Sequence, residues 1–157
     1  MNVLVVGSSQ LAVQVATTLA ASGCEVIYVR ADADGADEPH DPRISVVVGD
    51  PLVVLEEAGA LRTDVLVACT TSDAENLVVS FLAKHRFHIG CVVARVNDPD
   101  DSWLFDESWG IDVAVSAAGL VAETVLRAPV ASAAPAAASA PPPGATAGDP
   151  QPSPPAL

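Results

Sequence analysis

Aromatic residues are scarce in this chain, 4% of 157 residues, so its core must be built from Val, Leu, Ile and Ala, the composition of a buried parallel sheet covered by helices. Basic residues are outnumbered 20 to 7 by acidic ones, and the formal net charge of -13 leaves no basic stripe for nucleic acid or an anionic membrane surface. No apolar run approaches the roughly 20 residues of a membrane span. The runs are strand-sized and broken by Gly, Asp or Arg, so direct membrane insertion is not expected. Asn2 precedes "VLVV" with no basic n-region and no small-residue cleavage site, which argues against a signal peptide and for the cytoplasm. Cys24, Cys69 and Cys91 are odd in number and show no CxxC or ligand spacing, so they read as buried reduced thiols. What remains, 50% hydrophobic and 17% charged, suffices for one domain with a proper core.

Two segments separate by composition. Residues 1–127 alternate β-branched runs with helical patterns, and 128–157 ("APVASAAPAAASAPPPGATAGDPQPSPPAL") are almost pure Ala, Pro, Ser and Gly. The second segment has too little apolar surface to fold and too many prolines for a helix, so a disordered tail is expected. In the first segment, runs rich in Val or Ile predict strands at 2–6, 25–30, 44–48, 64–69, 91–96 and 112–115. Helices are expected between them. The first runs from Ser9 to Ser22, with Leu11, Val15 and Leu19 at four-residue spacing, and a short second covers Leu52 to Ala58. The third opens on "SDAE", where Ser72 and Glu75 form a reciprocal cap, a fourth starts at Asp98 with Pro99 in its first turn, and a last spans Ala117 to Arg127. Such alternation, joined by right-handed crossovers, implies an α/β fold: a Rossmann-like, doubly wound parallel sheet of six strands.

Ligands of these sheets bind beyond the carboxyl ends of the strands. That rule nominates Gly7 to Leu11, Arg30, Gly49 and Asp50, Thr70 and Thr71, and Arg95. The first turn, "GSSQLA", keeps the opening glycine of a GxGxxG fingerprint at Gly7 but has Ser9 at the second position and Ala12 at the third. Alanine costs little at the packing point. Serine places a Cβ on the path to a pyrophosphate while leaving its hydroxyl and the helix N–H groups for an anion. At the end of the second strand, where an NAD site wants an acid for the ribose, stands Arg30, which cannot accept but could instead meet a phosphate, with Asp32 or Asp34 as displaced acceptors.

The stretch "GDPLVVLEEAGALRTDVLVACTTSDAENLVVSFLAKHRF", followed by "VVARVNDPDDSWLFDESWGIDVAVS", closely resembles the nucleotide-binding N-terminal domain of TrkA-type potassium-transport regulators, the RCK or KTN domains. The shared pattern is a glycine turn, "GD" after the third strand, "T" then "D..N" after the fourth and "AR" on the fifth, and it covers Met1 to about Val125. The resemblance implies that Gly7, Ser8, Ser9, Gln10 and Leu11 form the phosphate-binding turn, that Arg30 occupies the ribose-acid position, and that Asp50, Thr70, Thr71 and Arg95 line an adenine-nucleotide cleft. It further implies a regulatory subunit without enzymatic activity, binding NAD(H) or ATP/ADP, assembling with itself or another RCK-type subunit, and passing ligand occupancy to a membrane potassium channel or transporter partner. Family members usually continue into a second small domain, and with the Ala/Pro segment in its place the resemblance leads to the expectation of a shortened regulator. Ser9 and Arg30 leave the ligand open and admit an alternative, a degenerate, ligand-free scaffold subunit paired with an intact homologue.

Other features are assigned structural roles. A dehydrogenase needs a substrate domain or a Tyr and Lys pair, and the only tyrosine, Tyr28, lies inside a strand. His85 and His88 in "KHRFH" read as cations favoured at a helix C-terminus rather than metal ligands, and Trp103 and Trp109 as core or subunit packing.

Overall fold

Six short β-branched runs form a single parallel sheet in the computed structural model, which describes residues 1–31 and 39–128. The strands are β1 (Asn2–Val6), β2 (Glu25–Arg30), β3 (Ile44–Val48), β4 (Val65–Ala68), β5 (Cys91–Val96) and β6 (Val113–Ser116), in the order β3-β2-β1-β4-β5-β6. The strand order reverses between β1 and β4, which pair from Val3 with Val65 to Val6 with Ala68. The Ala/Pro-rich segment lies, from Pro129 on, outside the described residues, as do Asp32 and Asp34.

Alternation along the strands divides two cores between the two faces of the sheet. On one face Val3, Val5, Val26, Tyr28 and Ile44 pack under α1 (Gln10–Ala21). On the other, Leu4, Val6, Val29, Leu66, Ala68, Val92 and Ala94 meet Leu77, Val79 and Ala83 of α3 (Asp73–His85), together with Leu55 and Ala60 from the β3–β4 crossover. That crossover carries α2 (Pro51–Val54) and a 3₁₀ turn at Ala60–Arg62, so the expected helix from Leu52 to Ala58 is shorter and starts earlier. α4 (Ala117–Arg127) follows β6 as expected.

α1 packs differently from its expected apolar stripe. Ala12, Ala16 and Ala20 are buried, whereas Leu11 is 39% exposed and Val15 and Leu19 are half-buried. Small side chains let the helix lie close on β1 and β2, which a leucine face would hold further off. The expected fourth helix is a 3₁₀ segment, Pro99–Leu104, capped by Asp98, whose side chain accepts from the Asp100 N–H. Trp109 packs against the core and sits edge-on to Phe81 at 6.2 Å, while Trp103 is 74% exposed. His85 stacks on Phe81, its ring centroid 4.4 Å away, and no group of three or more His, Cys, Asp or Glu among the described residues could hold a metal. No helix among them is long and apolar enough to cross a membrane. The three cysteines are free: Cys24 and Cys69 buried, Cys91 half-buried.

Candidate nucleotide site

At the carboxyl ends of the strands, where the order reverses, lies a pocket of about 240 Å³ lined by Gly7, Ser8, Ser9, Ala31, Pro51, Thr70, Thr71 and Glu75. A larger cleft, about 520 Å³, opens at the opposite end among Asn2, Glu25, Arg43 and Arg62. The smaller one is the better candidate, because a helix N-terminus and a glycine turn converge on it and strand carboxyl ends are where such sheets bind.

One wall is made by backbone. Gly7 leaves β1 with φ 155°, and a Cβ there would collide with the Cys69 carbonyl oxygen, while the carbonyl carbon would lie 2.8 Å and the Ala12 Cβ 3.0 Å away. Only glycine lets the turn pass between β4 and α1. The Gly7 N–H donates to the Val29 carbonyl at 2.9 Å, and the Ser8 hydroxyl accepts from the Ala31 N–H at 3.3 Å, tying the turn to the end of β2. Ser9 is the N-cap of α1, its hydroxyl oxygen 3.3 Å from the Ala12 N–H. Its side chain is thus held back onto the helix. The main-chain N–H groups of Gln10 and Leu11 at the N-terminus of α1 have no partner among the described residues. A nucleotide's phosphates fit this arrangement: a turn without a Cβ, two hydroxyls and free N–H groups at the positive end of a 12-residue helix.

The facing wall is built from side chains. Asn76, fully buried, accepts through Oδ1 from the Thr70 N–H (2.9 Å) and hydroxyl (2.8 Å), and donates through Nδ2 to the carbonyls of Thr70 (3.2 Å) and Arg95 (2.9 Å). That exhausts the amide. Asp73 completes the clamp, accepting from the Asn97 N–H at 2.8 Å, the Asn97 amide at 2.9 Å and the Asp98 N–H at 2.7 Å. Ser72 caps α3 by accepting from the Glu75 N–H at 3.3 Å. The reciprocal arm differs from expectation: the Ser72 N–H donates to the Thr70 hydroxyl at 3.2 Å, not to Glu75.

Of the residues nominated by sequence, Gly7, Ser8, Ser9, Thr70 and Thr71 line the pocket together, with Thr70 committed to Asn76. Gln10 and Leu11 border it through the helix N-terminus, and the Leu11 side chain faces a separate depression along α1. Asp50 caps α2, its carboxylate accepting from the Leu52 N–H at 2.9 Å. Arg30 is only 4% exposed and off the lining, on the face of the sheet that holds Tyr28, whose phenol pKa burial raises and the Arg30 charge lowers in part. Arg95 is half-buried near Cys69, whose thiol burial pushes up while the Arg95 charge offsets part of the rise. Ala31, Pro51 and Glu75 line the pocket without having been nominated: the first two have no side-chain chemistry to betray them, and Glu75 reads in sequence as a cap.

The TrkA-N domain family matches residues 3–117. The Trk system potassium uptake protein TrkA of Mycobacterium tuberculosis is 37% identical over 127 residues, which are 80% of this chain and 58% of that protein. The chain therefore spans well under two thirds of that relative's length. Among solved structures, GsuK bound to ADP superimposes with a TM-score of 0.64 at 23% identity, covering 80% of this chain and 34% of that one. The Kef C-terminal domain of Shewanella denitrificans in AMP-bound form gives 0.62 at 22% identity, covering 82% and 84%. With residues 3–117 matched by the family model, well over half of its length, the chain belongs to the TrkA-N domain family.

Proposed function

We propose that this chain is a nucleotide-binding regulatory subunit of a potassium uptake system, sensing NAD(H) or ATP/ADP and gating a membrane channel or transporter partner. The observation that carries the reading is the strand-end pocket, in which Gly7 admits the backbone where a Cβ would not fit and the α1 N-terminus leaves N–H groups for phosphate oxygens. Gly7, Ser8, Ser9, Gln10 and Leu11 would hold the phosphates, and Thr70 and Thr71 the far wall. Asp50, Arg30 and Arg95 support the neighbouring strand ends. The subunit carries out no reaction of its own; it works in the cytoplasm as a homo-oligomer or paired with another RCK-type subunit, at the inner face of the membrane through its partner. The potassium link and the partner rest on the name of the TrkA relative, and adenine nucleotides on the ADP- and AMP-bound neighbours.

The rival reading, a ligand-free scaffold, takes its force from Ser9 and Arg30. The geometry answers it only in part, because the Ser9 hydroxyl is bonded back to α1 while its Cβ stays at the turn and Arg30 leaves the ribose position without an acid. Thermal-shift titration with NAD, NADH, ATP and ADP separates the two readings. A bound nucleotide at 100 times its Kd stabilises the fold by about 2.7 kcal/mol, and the scaffold shows no shift with any of them.

A further inference from the structure

The pocket built for phosphate has one charged side chain in its described lining, and that charge is negative. Glu75 stands half-buried on the first turn of α3, across from Ser8 and Ser9. Its sequence position marks it as the partner of Ser72 in a reciprocal cap, but the Ser72 N–H is taken by Thr70, and no hydrogen bond or ion pair holds the Glu75 carboxylate among the described residues. The helix end is satisfied without it. In a chain of net charge -13, an unengaged carboxylate beside an anion cradle opposes the cradle's purpose unless it acts on the choice of anion.

Resting on the nucleotide reading above, we propose that Glu75 is a specificity-determining residue, selecting nucleotides whose phosphates are esterified at both ends, as in a dinucleotide, over those that end in a free phosphate. Phosphates anchored at the Gly7–Ser9 turn would share the pocket with Glu75 of α3, which lines the same cavity. A bridging diphosphate carries one charge per phosphorus, and the groups beyond it are hydroxyls and an amide, which donate to a carboxylate. A terminal phosphate has more negative charge and only acceptor oxygens at neutral pH, so the carboxylate repels it. No cation stands in the described lining to relieve that repulsion, since Arg95 and the buried Arg30 both lie off it.

Calorimetric titration of the full chain with NAD+, ADP and ATP, in EDTA and then in Mg2+, tests this on the natural protein and on Glu75→Gln. The variant keeps the shape and removes the charge. In EDTA the natural chain is expected to bind NAD+ about tenfold or more tighter than ATP, and the variant to narrow that gap to about threefold, mainly by gaining ATP affinity. Matching melting temperatures show the fold unchanged. A gap that Glu75→Gln leaves intact, or a natural chain that binds ATP as tightly as NAD+, overturns the proposal. So does ATP binding that needs Mg2+ and vanishes in the variant, since the carboxylate would then be a cation ligand. If none of the three nucleotides binds either protein, the nucleotide reading itself falls and the selectivity with it.

Discussion

The two walls of the pocket are made by different chemistry. The β1–α1 wall is backbone: a glycine, two serines bonded to neighbouring main chain and the end of a helix. The β4–α3 wall is a side-chain lattice in which Asn76 and Asp73 together satisfy three main-chain N–H groups and two carbonyls. A backbone wall tolerates changes of side chain but not an added Cβ at its one tight point. A lattice wall fails when a single amide is removed, because every partner it leaves is buried or half-buried. The first can therefore drift in sequence while keeping its shape, as Ser9 illustrates, and the second cannot.

The sharpest break in that contrast is Asn76→Leu. The branching is kept, but two methyls are bulkier than the amide in a fully buried position, and the Thr70 N–H and the Arg95 carbonyl lose their side-chain partner, while the Thr70 carbonyl keeps only the Asn97 amide. Leaving such groups unsatisfied costs about 1–3 kcal/mol each before relaxation, so a net loss of about 3–4 kcal/mol is expected from urea unfolding. A loss under about 1 kcal/mol would mean the lattice is not what holds that wall.

Gly7→Ala attacks the other wall at its tight point. The new Cβ meets the Cys69 carbonyl and Ala12, and the backbone conformation disfavours a side chain, so about 2–3 kcal/mol of stability is expected to go, together with nucleotide binding. Calorimetric melting and the thermal-shift titration read the two effects separately. An alanine variant as stable as the natural chain would show that α1 moves away from β4 at little cost.

Periodicity in the sequence reads strands well and faces poorly. All six strands appear where β-branched runs stand, with β4 and β6 displaced by a residue at their ends, since neighbouring Asp64 and Asp112 serve other purposes. The spacing of Leu11, Val15 and Leu19 does not mark the buried face of α1, because leucine and valine outweigh alanine in any apolar count, whereas close packing on β1 favours the smaller side chain. In the site, the turn was legible because a glycine before a helix has few other reasons to exist. Arg30 was not, since burial beside Tyr28 depends on which face the last residue of β2 presents. The Asn76 clamp joins residues 70, 76 and 95, and no local pattern announces a contact across that distance.

At the outer edge of the lattice wall, Lys84 of α3 meets Asp112 at 2.9 Å, and Asp112 also accepts from the Val92 N–H at 2.7 Å. The Lys84 ammonium, and after it the Val92 N–H, hold this carboxyl below its ordinary value of 3.8. A carboxyl depressed by folding stabilises above its unfolded pKa, and that contribution fades as pH falls through the folded value. The pair is about one third exposed, so solvent screening keeps the effect under about 1 kcal/mol. Urea midpoints measured from about pH 5 down to about pH 2 should fall less steeply in Asp112→Asn than in the natural chain. Parallel slopes would remove this carboxyl from the acid response.

The smallest change asks most of the backbone wall. Ser9→Gly restores the second glycine of the fingerprint, and if the serine Cβ obstructed the pyrophosphate path, nucleotide affinity would rise tenfold or more, by about 1.4 kcal/mol. The structure argues for less. Ser9 sits in extended backbone at φ -91° and ψ 157°, and its hydroxyl is drawn back to the Ala12 N–H, which leaves only the Cβ toward the path. Glycine gives up that cap, which costs only a few tenths of a kcal/mol relative to serine, and frees a backbone position that serine restrained. A melting-temperature drop of about a degree or two and an affinity within about threefold of the natural chain are the expected results. A tenfold gain would instead mark Ser9 as the obstruction and move the wall's tolerance from the whole turn to its helix end alone, since the side chain at this position would then matter as much as the missing one at Gly7.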